Sequence, residues 1–243
     1  MLNSFDVAII TFFNQFAQRS WTLDYITVFI CYSELMKGGA VIPLFWWAWF
    51  TGDGDQRRRR QIVIMTILAS FIALFIARAL AITIAYRPRP AQLPELGFVA
   101  PYTVNSLRLK GWNSFPSDHA SLFFTLAIGL IMISRKLGLV VLAYVIGIIC
   151  LPRIYVGLHY PTDIIAGAMI GGSSILLLNR LSTVKKFIKG QMMSWLDRNP
   201  PAFYTGMFIV THQFTTLFQE VRHLGTFGLG LIQALSRALS RGI

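Results

Sequence analysis

Charge is what this chain has least of, and acid least of all. Charged residues make up 13% of the sequence and hydrophobic ones 55%, which excludes a disordered or heavily solvated polypeptide. Only 10 Asp and Glu stand against 22 Lys and Arg, a formal net charge of +12. So basic a balance fits a nucleic-acid binder, but the basic residues fall mainly in the gaps between apolar runs, where they set membrane topology and favour an anionic lipid surface. Nucleic acid is therefore not an expected partner. Cysteine is nearly absent: Cys31 and Cys150 each lie inside an apolar run, without metal-ligand or redox spacing, and read as small packing residues. The N-terminus lacks the basic start of a cleavable signal peptide, and Asp6 interrupts its apolar run. Internal repeats and low-complexity tracts are missing, and residues 197–201 are the one stretch that reads as a linker.

What the chain does contain is a series of apolar runs close to or beyond the ~20 residues that a bilayer-spanning helix needs. The spacing predicts an all-α, polytopic membrane helical bundle of five or six spans, with interfacial amphipathic helices at both ends. Residues 1–20 form the first of these, with Phe5, Ile9, Phe12, Phe13 and Phe16 at helical spacing. Residues 21–180 form the core, with spans expected over 25–50, 62–86, 117–133, 137–151 and 161–178; the fourth is short and closed by Pro152. The basic gaps hold Arg57, Arg58, Arg59 and Arg60, then Arg135 and Lys136, then Arg180, Lys185, Lys186 and Lys189, all on one side, the cytoplasmic one by the positive-inside rule. In residues 181–243 two amphipathic helices are expected on that cytoplasmic surface, over 203–221 and around Leu229, Ile232, Leu235 and Leu239; a sixth span over 203–219 is the alternative.

Three polar clusters share the opposite face, where charge beside apolar runs is costly and usually functional. The first is R-I-Y-V-G-L-H-Y-P-T-D at 153–163, in which His159 and Asp163 stand four apart and Pro161 suits the first turn of a helix. An imidazole held by a carboxylate through Nδ1 presents Nε2 as a nucleophile or base, and Arg153 adds a planar fork that fits phosphoryl oxygens. The second is F-P-S-D-H at 115–119, where Ser117 caps a helix whose first-turn N–H groups and positive dipole end make an anion site, with His119 in that turn. The third is Y-R-P-R-P at 86–90, carrying Arg87 and Arg89. Each taken alone also fits ordinary interfacial residues that anchor a helix end.

Together the three clusters resemble the type 2 phosphatidic acid phosphatase superfamily, whose pattern is K-x6-R-P, then P-S-G-H, then S-R-x5-H-x3-D. The resemblance covers roughly residues 20 to 180, with the motifs in the family's order and at helix ends on one face. It implies that His159 attacks phosphorus to form a phosphohistidine, with Asp163 fixing its tautomer, while His119 protonates the departing oxygen and later activates water. Arg89, Arg153, Ser117 and the amides after Pro116 would hold the phosphoryl oxygens, with Arg87 a weaker candidate. No metal and no other cofactor is needed on this reading.

The chain departs from the family pattern in three places. The family lysine would fall at Ile82; Arg78, one turn deeper, is the expected substitute, paired with Glu34 at a comparable depth of about 15 Å below the surface. Asp118 replaces the motif's glycine, a form that resembles the bacterial undecaprenyl diphosphate phosphatases, and its carboxylate is expected to keep His119 protonated. Pro152 stands where a serine precedes the third-motif arginine, a change that also resembles the lipid A phosphotransferases.

These resemblances imply a phosphatase that converts a lipid-linked diphosphate, most simply undecaprenyl diphosphate, to the monophosphate on the outer face of a bacterial inner membrane. Arg108 and Lys110 would steer the substrate. The alternatives are a phosphotransferase passing phosphate to a lipid acceptor such as lipid A, and a phosphatase of phosphatidylglycerol phosphate, phosphatidic acid or the lipid A 1-phosphate. A non-catalytic lipid-binding scaffold is the rival of a different class. The oligomeric state is left open.

Overall fold

A computed structural model describes residues 3–52, 54–104 and 112–218; Arg108, Lys110 and the helix expected around Leu229 lie outside the described residues. Helix α1 (Ser4–Asn14) starts at Asn3, whose side chain accepts from the Asp6 N–H, and α2 (Trp21–Tyr32) starts at Ser20, which accepts from Leu23. The span expected over 25–50 is not straight. It breaks after Tyr32, bends by 74°, and resumes through a π turn, Leu35–Gly39, into α3 (Ala40–Phe50). Pro43 cannot donate to the carbonyl four residues back, and the turn before it holds the Glu34–Lys37 pair, so the backbone departs from α-geometry where both demands meet.

Helix α4 (Gln56–Thr83) starts earlier than its apolar run predicts, and the four arginines sit in its first turns rather than in a loop. There Arg59 and Arg60 donate to the carbonyls of Ala48, Thr51 and Trp49, which the end of α3 leaves without helical partners. Helix α5 (Asp118–Ile133) and α6 (Arg135–Tyr155) meet at Ser134, which ends one and whose hydroxyl caps the other at Leu137. Pro152 does not close α6 as expected. A π stretch, Val145–Cys150, precedes it, absorbs the missing N–H, and carries the helix on to Tyr155.

Helix α7 (Pro161–Arg180) opens with proline at its first position. Short helices α8 (Ser182–Phe187) and α9 (Met193–Arg198) lead to α10 (Pro200–Thr215). Among the described residues α4, α6 and α7 are each long and apolar enough to cross a membrane, and the bent pair α2–α3 passes the same test when its two halves are taken together as one span. The protein is thus an all-α, multi-pass membrane bundle. Helix α5 is shorter, but it packs against α4, α6 and α7 and buries Leu122, Phe123, Leu126 and Leu130 at the centre.

Helix α10 runs antiparallel along α3. Tyr204 accepts from the Trp49 indole at 3.1 Å, Thr211 from the Trp46 indole at 3.3 Å, and Thr215 touches Gly38. It lies alongside α3, and it is not among the helices long and apolar enough to cross a membrane.

Candidate active site

Two helix starts meet at one end of the bundle. The Ser117 N–H, at the head of α5, donates to the Asp163 carbonyl in the first turn of α7 at 3.1 Å. That approach depends on glycine: a Cβ on Gly167 would lie 2.6 Å from the Ser117 carbonyl oxygen, and one on Gly171 would run into the Ser121 carbonyl. Two glycines four apart on α7 thus let the helices touch backbone to backbone and bring the second and third motifs together. Ser117 caps α5 as expected, accepting from the Ala120 N–H at 3.4 Å, and His119 follows in that turn, half-buried with its ring over Phe123.

The buried His159 ring is held differently from the expectation. Its Nδ1 lies 2.9 Å from the Ser114 carbonyl oxygen and 3.7 Å from Asp163 Oδ2. A carbonyl only accepts, so Nδ1 carries the proton and Nε2 keeps a lone pair. Asp163 acts one step back: its Oδ2 accepts from the Ser114 hydroxyl at 2.5 Å and the Tyr160 N–H at 2.7 Å, and its Oδ1 from Arg87 at 2.5 Å. Asp163 fixes the residue that fixes the ring. Burial pulls the His159 imidazole below its ordinary value of 6.5; the Asp163 carboxylate opposes this, and the charges of Arg89 and Arg153 reinforce it.

The arginines divide into two kinds. Arg87 is paired on two sides, donating to Asp6 at 2.6 Å, to Asp163 and to the Thr162 hydroxyl at 2.9 Å, with its guanidinium 3.9 Å from the centre of the Tyr160 ring. Its place is a clamp behind the site, bridging the two buried carboxylates. Arg89 and Arg153 are 8% and 2% exposed, and among the described residues neither has a carboxylate within ion-pair distance. Arg89 donates to the Leu158 carbonyl at 2.6 Å while its buried Nε has no partner; Arg153 donates to the Ile149 carbonyl at 2.7 Å. Two buried cations beside one imidazole, without counter-ions, leave a place for an anion.

The expected Arg78–Glu34 pair does not form. Arg78 pairs with Asp118 and lies over the Trp112 ring, while Glu34 takes Lys37 at 3.1 Å. Equal depth along two helices says nothing about which faces they turn to each other, and here the nearer partners win. Asp118 is thereby paired with Arg78. Ile82 is 78% exposed, facing outward. Sequence reasoning passed over Ser114, whose carbonyl role leaves no side-chain signal, and Asp6, read as an interruption of an apolar run. Asp6 is fully buried and accepts from Arg87, the Thr162 N–H at 3.0 Å and the Thr162 hydroxyl at 2.6 Å. A lone carboxylate in an otherwise apolar helix was the available clue.

Comparison with known proteins agrees with this geometry. The chain is 31% identical over 144 residues to the bacitracin transport permease protein BcrC of Bacillus licheniformis, covering 58% of this chain and 65% of that one, just under two thirds of its length. It is 24% identical over 171 residues to the putative undecaprenyl-diphosphatase YbjG of Escherichia coli, covering 70% of this chain and 79% of YbjG. The crystal structure of Aquifex aeolicus LpxE superposes with a TM-score of 0.50 at 23% identity, over 72% of this chain and 94% of that one, a likeness of fold. The segment that matches the PAP2 superfamily, residues 60–186, takes in just over half of the chain and encloses all three motifs and both of the helix starts that meet here. The protein belongs to the PAP2 superfamily.

Proposed function

We propose that this protein is a lipid phosphatase that removes the terminal phosphate of a lipid-linked diphosphate, with undecaprenyl diphosphate as its substrate, through a phosphohistidine on His159. The observation that carries the reading is the pair of buried guanidinium groups, Arg89 and Arg153, without carboxylates among the described residues, beside a ring whose Nδ1 is tied to the Ser114 carbonyl so that Nε2 keeps its lone pair. The name of YbjG supports the choice of lipid.

In this reading the Nε2 lone pair attacks the terminal phosphorus and the bond from phosphorus to the bridging oxygen breaks. His119 supplies the proton that the departing lipid phosphate takes up. Arg89, Arg153 and the N–H groups at the head of α5 hold the oxygens on which charge builds. Water then attacks the phosphohistidine, His119 takes a proton from it, and inorganic phosphate leaves with His159 restored. Arg57 to Arg60, the α5–α6 turn with Arg135 and Lys136, and the end of α7 with Arg180 share the other end of the bundle, which supports an extracytoplasmic site in a bacterial inner membrane.

The test is phosphate release by the purified protein in detergent from undecaprenyl diphosphate, phosphatidic acid, phosphatidylglycerol phosphate and lipid A, without added acceptor. Release from undecaprenyl diphosphate, lost by at least about a thousandfold in His159→Ala, is expected. Equal release by the variant would end the nucleophile assignment, and release only when an acceptor lipid is present would make the protein a transferase.

A further inference from the structure

The carbonyl that holds His159 belongs to Ser114, which with Asn113 stands just ahead of the second motif and outside all three clusters. Ser114 is fully buried and meets the other two motifs with three separate groups. Its N–H donates to the Arg87 carbonyl at 3.0 Å, its hydroxyl donates to Asp163 at 2.5 Å, and its carbonyl accepts from the His159 ring at 2.9 Å. The hydroxyl bond fixes the serine side chain, but the direction of the carbonyl depends on how the peptide plane between Ser114 and Phe115 is turned.

Asn113 turns that plane. Its Oδ1 accepts from the Phe115 N–H at 3.1 Å and from the Arg87 N–H at 3.2 Å. The Phe115 N–H and the Ser114 carbonyl are the two ends of one planar peptide group, so a bond to the first sets the direction of the second. The same bond polarises the carbonyl and strengthens it as an acceptor for Nδ1–H. The other end of the carboxamide faces α4, where Nδ2 donates to the Ala81 carbonyl at 3.0 Å and, more distantly, to the Ala85 carbonyl at 3.5 Å. These carbonyls lie in the last turn of the helix and just past it, where helical partners run out. Asn113 thus ties the peptide that holds the nucleophile to the end of a long span.

We propose that Asn113 is a positioning residue for the nucleophile: through the peptide between Ser114 and Phe115 it holds the His159 ring as the Nδ1–H tautomer and keeps the Nε2 lone pair directed at phosphorus. It acts without touching substrate. The proposal rests on the phosphohistidine reading above and adds what sets the tautomer. A residue that only capped α4 would need donors alone, whereas a carboxamide carries donors and an acceptor in one fixed plane, and here both ends are used. Asp163 does not replace it, being 3.7 Å from Nδ1 and engaged with Ser114, Tyr160 and Arg87.

The test reads the tautomer directly, by nitrogen NMR of the full-length protein in bilayers with its 4 histidines labelled at the ring nitrogens. The His159 signal is the one lost in His159→Gln. In the wild-type protein at mildly alkaline pH, a protonated Nδ1 and a bare Nε2 are expected; the opposite tautomer overturns the proposal whatever the variants do. Asn113→Leu removes both ends of the carboxamide and should shift part of the ring to the other tautomer. Its kcat should fall about tenfold to a hundredfold while KM for undecaprenyl diphosphate stays within about twofold. Asn113→Asp keeps the acceptor oxygen and should restore the tautomer and most of the rate. Wild-type rate and tautomer in Asn113→Leu, or a loss in Asn113→Asp as deep as in Asn113→Leu, would sink the positioning role, as would a lower folded yield with an unchanged rate per folded molecule. A wild-type protein with the expected tautomer that releases phosphate from no lipid sinks the phosphatase reading instead.

Discussion

His159 and Arg87 show how single residues here divide the chemistry from its support. The His159 ring is buried, and burial disfavours its cation, so the neutral imidazole persists below the ordinary value of 6.5. The proton comes on at lower pH in the folded protein than in the unfolded chain. Stability is therefore expected to fall as pH drops below 6.5, where the unfolded chain takes up the proton first, and to level off once the folded ring is protonated too. Denaturant titrations across that window check this, and His159→Gln should flatten the dependence. The kcat/KM profile should show two ionisations, those of His159 and His119, with the acid limb below 6.5; a flat profile between about pH 5 and 9 would count against the pair. Arg87 is a different case. Its removal leaves Asp6 and Asp163 buried with no cation between them, so Arg87→Ala should cost roughly 3 kcal/mol of stability, much of it recovered by adding Asp6→Asn. Arg87 and Arg89 stand two apart in one motif and read alike as candidates in the sequence. Only the partners each one meets separate the clamp from the unpaired cation.

At the scale of the element, the contact of α5 with α7 decides whether a site exists. Gly171→Leu drives a side chain into the Ser121 carbonyl, and the helices must separate to admit it. A loss of about 2 kcal/mol or more is expected in thermal unfolding, together with most of the phosphatase activity, although the residue touches no substrate. Activity retained at wild-type level would show that the two motifs do not need this approach. Helix boundaries were legible where periodicity and caps agree, as at Ser117, Ser134 and Pro161. They were not legible at Pro152 or after Tyr32. A proline in a sequence reads as an end, but a π stretch absorbs its missing N–H in α6, and neighbouring helices support the bend between α2 and α3.

For the molecule as a whole, the basic and the motif-bearing ends are the two poles of the bundle, and the sidedness proposed above rests on those charges. Cys31 and Cys150 are buried, so introduced thiols can be read against little background. A membrane-impermeant maleimide added to intact spheroplasts should label Glu95→Cys, in the loop near the site, and label Lys136→Cys only after the membrane is opened. Both positions are exposed. The reverse pattern would place the site on the cytoplasmic face.

The amino-acid sequence by itself determined that this is a membrane helical bundle of the PAP2 superfamily, because apolar run length, the basic gaps between runs and the intramotif spacing of His159 and Asp163 are local properties that survive without a fold. Tertiary structure alone decided which charges are spent and which remain. Arg78 meets Asp118, Glu34 meets Lys37, and Arg87 meets Asp6 from the far N-terminus, leaving Arg89 and Arg153 without a carboxylate among the described residues. Pairing is settled by which faces of distant helices turn toward each other, and in a low-dielectric interior the nearest opposite charge prevails; chain position carries no record of that distance.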